Sequence, residues 1–380
     1  MPAFQYQLLR RIHLWLALPF AFFLIIQGLS GAVIMWKYEL DAMLNPDLLR
    51  VVVPRSDMPG NRNRLPLSLL LTHLEQDKKY GEPSMLELPI HDDEVVIAWY
   101  RSGKSPTRQV MLNPYSGEVL GERISGQIGL SRALFIPTVL SLHRQLLSGN
   151  NGKLMVTFNG VVLAIMALSG IYLWWPVWRK KAVWQALTVS YQGSWKRFNY
   201  RLHRATGFYA APVFLMFAIT GVYFNQPEWI STVASPFVAV LVKNTHITTS
   251  APITNENAAA VQLNLDQIIA LAKQQFPLAY VGRISLPRGS DSNYEVRLHQ
   301  PGELRKGSGA TKVSIDADHG VVVNTRDPLK TQGEALFYSY FFPLHNGELF
   351  GTIGKIILSI VGLLPILFAV SGTLIWLRRR

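Results

Sequence analysis

IHLWLALPFAFFLIIQGLSGAVIMW, residues 12–36, contains no Asp, Glu, Lys or Arg, and its outline returns as HRATGFYAAPVFLMFAITG at residues 203–221. In both stretches a histidine leads an apolar run that closes on Ser-Gly or Thr-Gly. Seventeen residues separate His13 from Ser30, and seventeen separate His203 from Thr220. A second pair of histidines repeats in step with the first. Ala133-Leu134-Phe135 precedes His143 and Ala335-Leu336-Phe337 precedes His345, and each histidine lies 26 residues before a Ser-Gly pair, Ser169-Gly170 or Ser371-Gly372. Two matched series in the same order point to an internal duplication.

The composition places this unit in a membrane. Of 380 residues, 49% are hydrophobic and only 16% are charged, which is unusual for a soluble chain. Four runs lack any charged residue: Ile12 to Trp36, Leu154 to Val177, Phe208 to Phe224 and Ile356 to Leu377. Each is close to the ~20 residues that cross a hydrocarbon core. The first run is too long for a signal peptide and has an internal repeat partner, so it reads as an uncleaved anchor.

Short basic flanks set the orientation. Arg10-Arg11 precede the first run, Arg378 to Arg380 follow the last, and the connection between the second and third carries seven Lys and Arg with no acidic residue. Both termini and that connection are expected on the cytoplasmic side of the membrane. The long connections then lie in the periplasm. The expected division is span 1 within 1–36, a periplasmic domain at 37–130, an interfacial helix at 131–151, span 2 at 152–177, a cytoplasmic basic loop at 178–203 and span 3 at 204–226. A second periplasmic domain at 227–334, an interfacial segment at 335–351 and span 4 at 352–377 complete it.

The net charge of +13 is accounted for by this topology and by anionic lipid, so no nucleic acid is expected as a partner. The absence of cysteine excludes disulfides, iron–sulfur clusters and covalently attached c-type haem. No G-x-G-x-x-G between a strand and a helix is present, so neither a flavin nor a nicotinamide site is expected. Tryptophans 36, 174, 175, 178, 195 and 376 cluster at span ends, as an aromatic belt would.

Each long connection carries a helix followed by strands. Alternation over 94–100 and 109–112 leads into the turn Asn113-Pro114-Tyr115-Ser116-Gly117 and a return strand at 118–120. The pattern recurs as strand 312–315, Asp316 to Gly320 and strand 321–323, with helices expected near 67–79 and 263–275. The second turn keeps only the acidic or amide first residue and the glycine. Strand, Asn-Pro-Tyr-Ser-Gly and strand together resemble the PepSY domain. Over essentially its full length the chain resembles the PepSY-associated transmembrane family, which includes bacterial inner-membrane ferrisiderophore reductases of the ferrioxamine type. The fold class is therefore a membrane α-helical protein: four transmembrane helices from an internal duplication, with two periplasmic α+β PepSY-like domains.

An imidazole at a span's edge needs a partner, because an unpaired polar ring in lipid is costly. Haem iron is one, and two axial imidazoles suit it to electron transfer. The topology puts His13 and His203 on the cytoplasmic side and His143 and His345 on the periplasmic side. Two bis-histidine b-type haems are expected, one held by His13 and His203 and the other by His143 and His345. From His143 to Ser169 would be about 39 Å of unbroken helix, longer than the ~30 Å core. A break is therefore expected at Gly149-Asn150-Asn151-Gly152, with Phe337 to His345 as the counterpart of residues 130–148.

Each span also ends its apolar run on small residue, spacer, Ser or Thr, and Gly: Gly28 to Gly31, Ala167 to Gly170, Ala218 to Gly221 and Ala369 to Gly372. Two readings stay open, close helix packing and room for the macrocycles, with Gly31 and Gly221 beside the outer haem and Gly170 and Gly372 beside the inner one. Arg10, Arg11, Arg201 and Arg204 are candidates for the propionates of the inner haem and Arg144 for those of the outer. His73, His91, His246, His299 and His319 have no repeat partners and read as solvated; His299 and His319 would be the first candidates for a periplasmic metal site.

Such a chain would pass electrons across the membrane from a cytoplasmic donor or a quinol. The resemblance implies a ferric siderophore as acceptor, reduced in the periplasm to release Fe(II), and hence a haem-dependent ferric-chelate reductase. The alternatives are a non-redox PepSY anchor that binds or regulates a periplasmic protease, and a transporter, for which intramembrane charges or interrupted helices would be expected.

Overall fold

The computed structural model describes residues 3–54, 64–76, 79–101, 107–175, 179–241, 263–288 and 293–377. His246, Trp178 and Arg378 to Arg380 lie outside the described residues. Along the chain come α1 (Ala3–Ile34), α2 (Lys37–Leu44), α3 (Pro46–Leu49) and α4 (Leu67–Gln76), then strands β1 (Met85–Glu87), β2 (Val96–Tyr100), β3 (Arg108–Leu112) and β4 (Val119–Ile124). After them follow α5 (Arg132–Gln145), α6 (Gly149–Trp174), α7 (Lys180–Leu187), α8 (Trp195–Asn225) and α9 (Pro227–Leu241). The rest comprises α10 (Leu265–Gln275), β5 (Tyr280–Ser285), β6 (Asn293–His299), β7 (Thr311–Asp316), β8 (Val322–Arg326), α11 (Gly333–Ser339), α12 (Phe341–His345) and α13 (Gly351–Leu377). Two compact units result, a helical one of Met1–Lys37, Val139–Leu241 and Tyr340–Arg380, and a second of Tyr38–Thr138 and Val242–Ser339.

Four helices of the first unit, α1, α6, α8 and α13, are long and apolar enough to cross a membrane. They pack as a ring in which α1 meets α6 and α13, and α8 meets the same two. Two of them outrun their apolar segments. The first reaches back to Ala3, so that Arg10 and Arg11 lie within it, and the third starts at Trp195. His203 therefore sits two turns inside α8 rather than in a loop ending at 203. Lys and Arg are good helix formers, so a basic flank continues a span without interrupting it.

The break between α5 and α6 comes slightly earlier than the glycines suggest. Leu146 and Leu147 adopt left-handed backbone, φ 45° and 57°, and Gly149 follows at φ 57°. Gly149 to Gly152 form the first turn of α6. Gly152 is needed there because a Cβ would strike the Gln145 carbonyl; at the equivalent turn of α13, a Cβ on Gly354 would lie 2.6 Å from the Gly347 carbonyl oxygen. The two breaks share one tight backbone approach.

The second unit differs from two separately closed domains. Its strands form one eight-stranded antiparallel sheet in the order β4-β3-β2-β1-β5-β6-β7-β8. The halves join where β1 pairs with β5, Leu86 opposite Ile284 and Glu87 opposite Arg283. Leu86, Ile284, Val296 and Leu298 share a single core with Leu70 and Leu74 of α4 and Ile268 and Ala272 of α10. Each buried Leu, Ile or Val among them contributes roughly 1.5–3 kcal/mol by leaving water, and both halves supply the one core.

The turns after β3 and β7 are the same structure despite their different sequences. Asn113 Oδ1 accepts from the Tyr115 and Ser116 amides, Asp316 Oδ1 from the Asp318 and His319 amides. Gly117 and Gly320 supply the left-handed residue at φ 74° and 64°. An acceptor oxygen at the first position and a glycine at the fifth are all the turn requires.

Across the junction, the carboxylate of Asp266 in α10 accepts from the Leu67 and Ser68 amides, capping α4. Asp266→Ala is expected to cost about 1–2 kcal/mol, seen as a lowered melting temperature of the purified protein in detergent. An unchanged melting temperature would show that this cap contributes nothing.

Candidate functional site

All four repeated histidines belong to the helical unit, and each is anchored to the Ser or Thr that precedes a glycine on another helix. His13 Nδ1 lies 2.8 Å from Ser169 Oγ, and His203 Nδ1 lies 2.7 Å from Ser371 Oγ. His345 Nδ1 is 2.7 Å from Thr220 Oγ1. His143 Nδ1 is 3.1 Å from Ser30 Oγ and also 3.1 Å from the Gln27 carbonyl oxygen. The anchors run within each half of the sequence, so the repeat seen in the residues is also a repeat of contacts.

These hydroxyls decide the tautomer. Each sits in a helix and donates its one proton to the carbonyl four residues back: Ser30 to Ile26 at 2.5 Å, Ser169 to Ile165 at 2.6 Å, Thr220 to Met216 at 2.6 Å and Ser371 to Leu367 at 2.6 Å. A hydroxyl so committed can only accept from imidazole. Nδ1 therefore carries the proton and Nε2 keeps its lone pair, the arrangement in which imidazole binds a metal. Burial pushes His143 down to about 4 and His345 to about 3, so both rings are neutral at neutral pH.

The glycines have a more specific place than the sequence suggested. Gly31, Gly170, Gly221 and Gly372 face the histidine rings themselves. A Cβ on them would lie 3.0 Å from His143 Cε1, 3.6 Å from His13 Cε1, 3.7 Å from His345 Cε1 and 3.4 Å from His203 Cε1 respectively. Close helix packing falls to other small residues. Gly28 meets the Gly362 carbonyl between α1 and α13, and Gly160 of α6 meets Ala218 and Val222 of α8.

The halves then bring His143 and His345 together. The rings of His143 and His345 lie with centroids 6.3 Å apart and planes at 64°. Two imidazole nitrogens each at about 2 Å from one metal can place ring centres roughly 6 Å apart, so this couple is spaced to share a metal. Among the described residues no group of three or more His, Asp or Glu forms. A metal held by this couple would draw its other ligands from a prosthetic group, as haem iron does from porphyrin.

Aromatic rings that the sequence reading passed over line both places. Phe217 and Phe224 stand edge-on to His345 with centroids 5.3 and 5.2 Å away, and Phe368 is 5.4 Å from His203. Only their spacing from the histidines could have signalled them, and in an apolar span such spacing is not distinctive. Arg204 donates to the Trp174 carbonyl at 2.8 Å, while its Nε is buried without a partner. An orphaned buried donor suits a carboxylate. Arg201 is taken by the carbonyls of Ser190 and Gln192, and Arg10, Arg11 and Arg144 are exposed.

Among the described residues, the unrepeated histidines take no part in this arrangement. His319 bonds Asp316 within its own turn at 3.0 Å. His299 is half-buried rather than solvated, stacked on Tyr280 at 4.8 Å, because it ends a strand beside that ring.

The model of the PepSY-associated TM region matches residues 10–379. The chain belongs to this family. No curated protein matches it by sequence. The membership and the four long apolar helices together make it a membrane protein.

Proposed function

We propose that this PepSY-associated membrane protein is a di-haem electron carrier of the bacterial inner membrane, with both termini cytoplasmic, that reduces ferric siderophore in the periplasm. The observation that carries the reading is the His143–His345 couple, 6.3 Å apart, each ring held by Nδ1 with Nε2 free. That contacts and turn geometry recur in both halves supports their origin by duplication, and hence a second, equivalent couple from His13 and His203.

Haem b bound at each couple would supply a one-electron carrier. The chain's own residues do the rest. Ser169, Ser371 and Thr220 orient their imidazoles, the Gln27 carbonyl and Ser30 share His143, and Phe217, Phe224 and Phe368 keep the surroundings apolar. Arg204 offers a carboxylate partner at the inner site. Along α1, His13 and Gly31 are 18 residues apart, or about 27 Å, so the two couples lie toward opposite faces of the bilayer.

The acceptor follows from family resemblance and chemistry. One electron turns the chelate's Fe(III) into Fe(II), which hard oxygen ligands hold less tightly, and no bond of the chelator need break. The electron enters from a cytoplasmic reductase or a quinol.

Detergent-solubilised protein is expected to show reduced b-type haem bands after dithionite, with about two haems per chain by pyridine haemochrome. A colourless, folded preparation that takes up no added haem would end this reading.

A further inference from the structure

The four histidine anchors are not equal. His13, His203 and His345 each rest on one hydroxyl at 2.7–2.8 Å, whereas His143 has two acceptors at 3.1 Å, Ser30 Oγ and the Gln27 carbonyl. Position 27 corresponds to 217 in the other half, where Phe217 faces His345 instead. The backbone carbonyl at 27 cannot be removed by changing a side chain, so His143 keeps an acceptor when Ser30 is lost. His345 has no such substitute for Thr220.

An acceptor on Nδ1–H makes the opposite nitrogen a better electron donor. Here each hydroxyl is itself polarised by donating to the carbonyl four residues back, which strengthens it as an acceptor. Resting on the haem reading above, we propose that Thr220, Ser169 and Ser371 are positioning residues that set the reduction potentials of the two haems through the histidines, and that Ser30 is not. The outer haem would have one ligand tuned by a removable hydroxyl and one tuned by backbone.

The direction follows. Removing the acceptor weakens the imidazole as a donor, which costs the ferric iron more than the ferrous, so the potential rises. The test is a spectroelectrochemical titration of the haem-loaded full chain in detergent. Thr220→Val, which keeps the shape and loses the hydroxyl, should shift one of the two haem transitions upward by up to about tenfold in the Fe(II)/Fe(III) ratio at fixed potential, or about 59 mV for one electron. Thr220→Ser should restore it, and Ser30→Ala should move neither transition. Ser371→Ala should raise the other transition, and measured against Ser30→Ala it carries the test if Thr220→Val fails to fold.

Selective loss of one haem in Thr220→Val, with Ser30→Ala fully loaded, also supports the assignment. Equal responses of Thr220→Val and Ser30→Ala, or no response from Thr220→Val and Ser371→Ala, overturn it while leaving the haems in place. A wild-type chain without haem bands overturns the haem reading and this inference with it.

Discussion

If the di-haem reading holds, replacing His345 with alanine is expected to halve the haem content, from about two per chain to one, and to slow ferric-siderophore reduction by ~10²-fold or more. The ring is one half of the couple at 6.3 Å, and its removal would leave His143 alone to hold a metal on that side. His143→Ala should remove the same haem, since the two rings face one another. His13→Ala and His203→Ala should remove the other. Pyridine haemochrome and the reduced spectrum read all four variants without a substrate. If His143→Ala and His13→Ala abolished one and the same haem, the couples would be assembled within each half rather than between halves. Full haem content in His345→Ala would detach this ring from the cofactor altogether.

The membrane helices were legible because lipid imposes a coarse rule: some twenty residues without charge suffice to mark a span. The histidines were legible through repetition, since the spacing to Ser30, Thr220, Ser169 and Ser371 records which hydroxyl each half builds toward its rings. What the spacing could not reveal was who touches whom. His13 bonds Ser169, not the Ser30 seventeen residues along its own helix, because 17 residues of helix carry a side chain about 26 Å away. The partner has to come from a neighbouring span.

The fused sheet was hidden for a different reason. Its joining strand β1 is only three residues long, Met85 to Glu87, too short to show an alternating pattern, with Pro83 and Pro89 close on either side. It is held between β2 and the β5 partner two hundred residues away, with the Glu87–Arg283 ion pair at 3.1 Å beside it. A three-residue strand carries almost no local signal, whereas the turns at 113–117 and 316–320 are local hydrogen-bond devices and could be read directly.

The glycines decide the second large effect. In Gly31→Leu, a Cβ would start 3.0 Å from His143 Cε1, and the branched carbons beyond it would occupy the space of the ring. The imidazole must swing away from both Ser30 and the Gln27 carbonyl, so under the di-haem proposal the outer haem is expected to be lost, leaving about one haem per chain and a ~10²-fold slower reductase. The inner haem should keep its spectrum, because His13 rests on Gly170 and Ser169 at the other end of the bundle. Gly28→Leu, one helical turn away, should behave differently. Its side chain would meet the Gly362 carbonyl at the crossing of α1 and α13, where backbone cannot yield as a side chain can. Overpacking of that kind costs typically 1–3 kcal/mol or more, and it is felt by the whole bundle, so both haems and the yield of folded protein should fall together. The contrast separates the two uses of small residues within a single motif. Should Gly31→Leu keep both haems, the His143 ring does not rest against α1 as described here, and the outer couple would have to be built around a different approach of that imidazole.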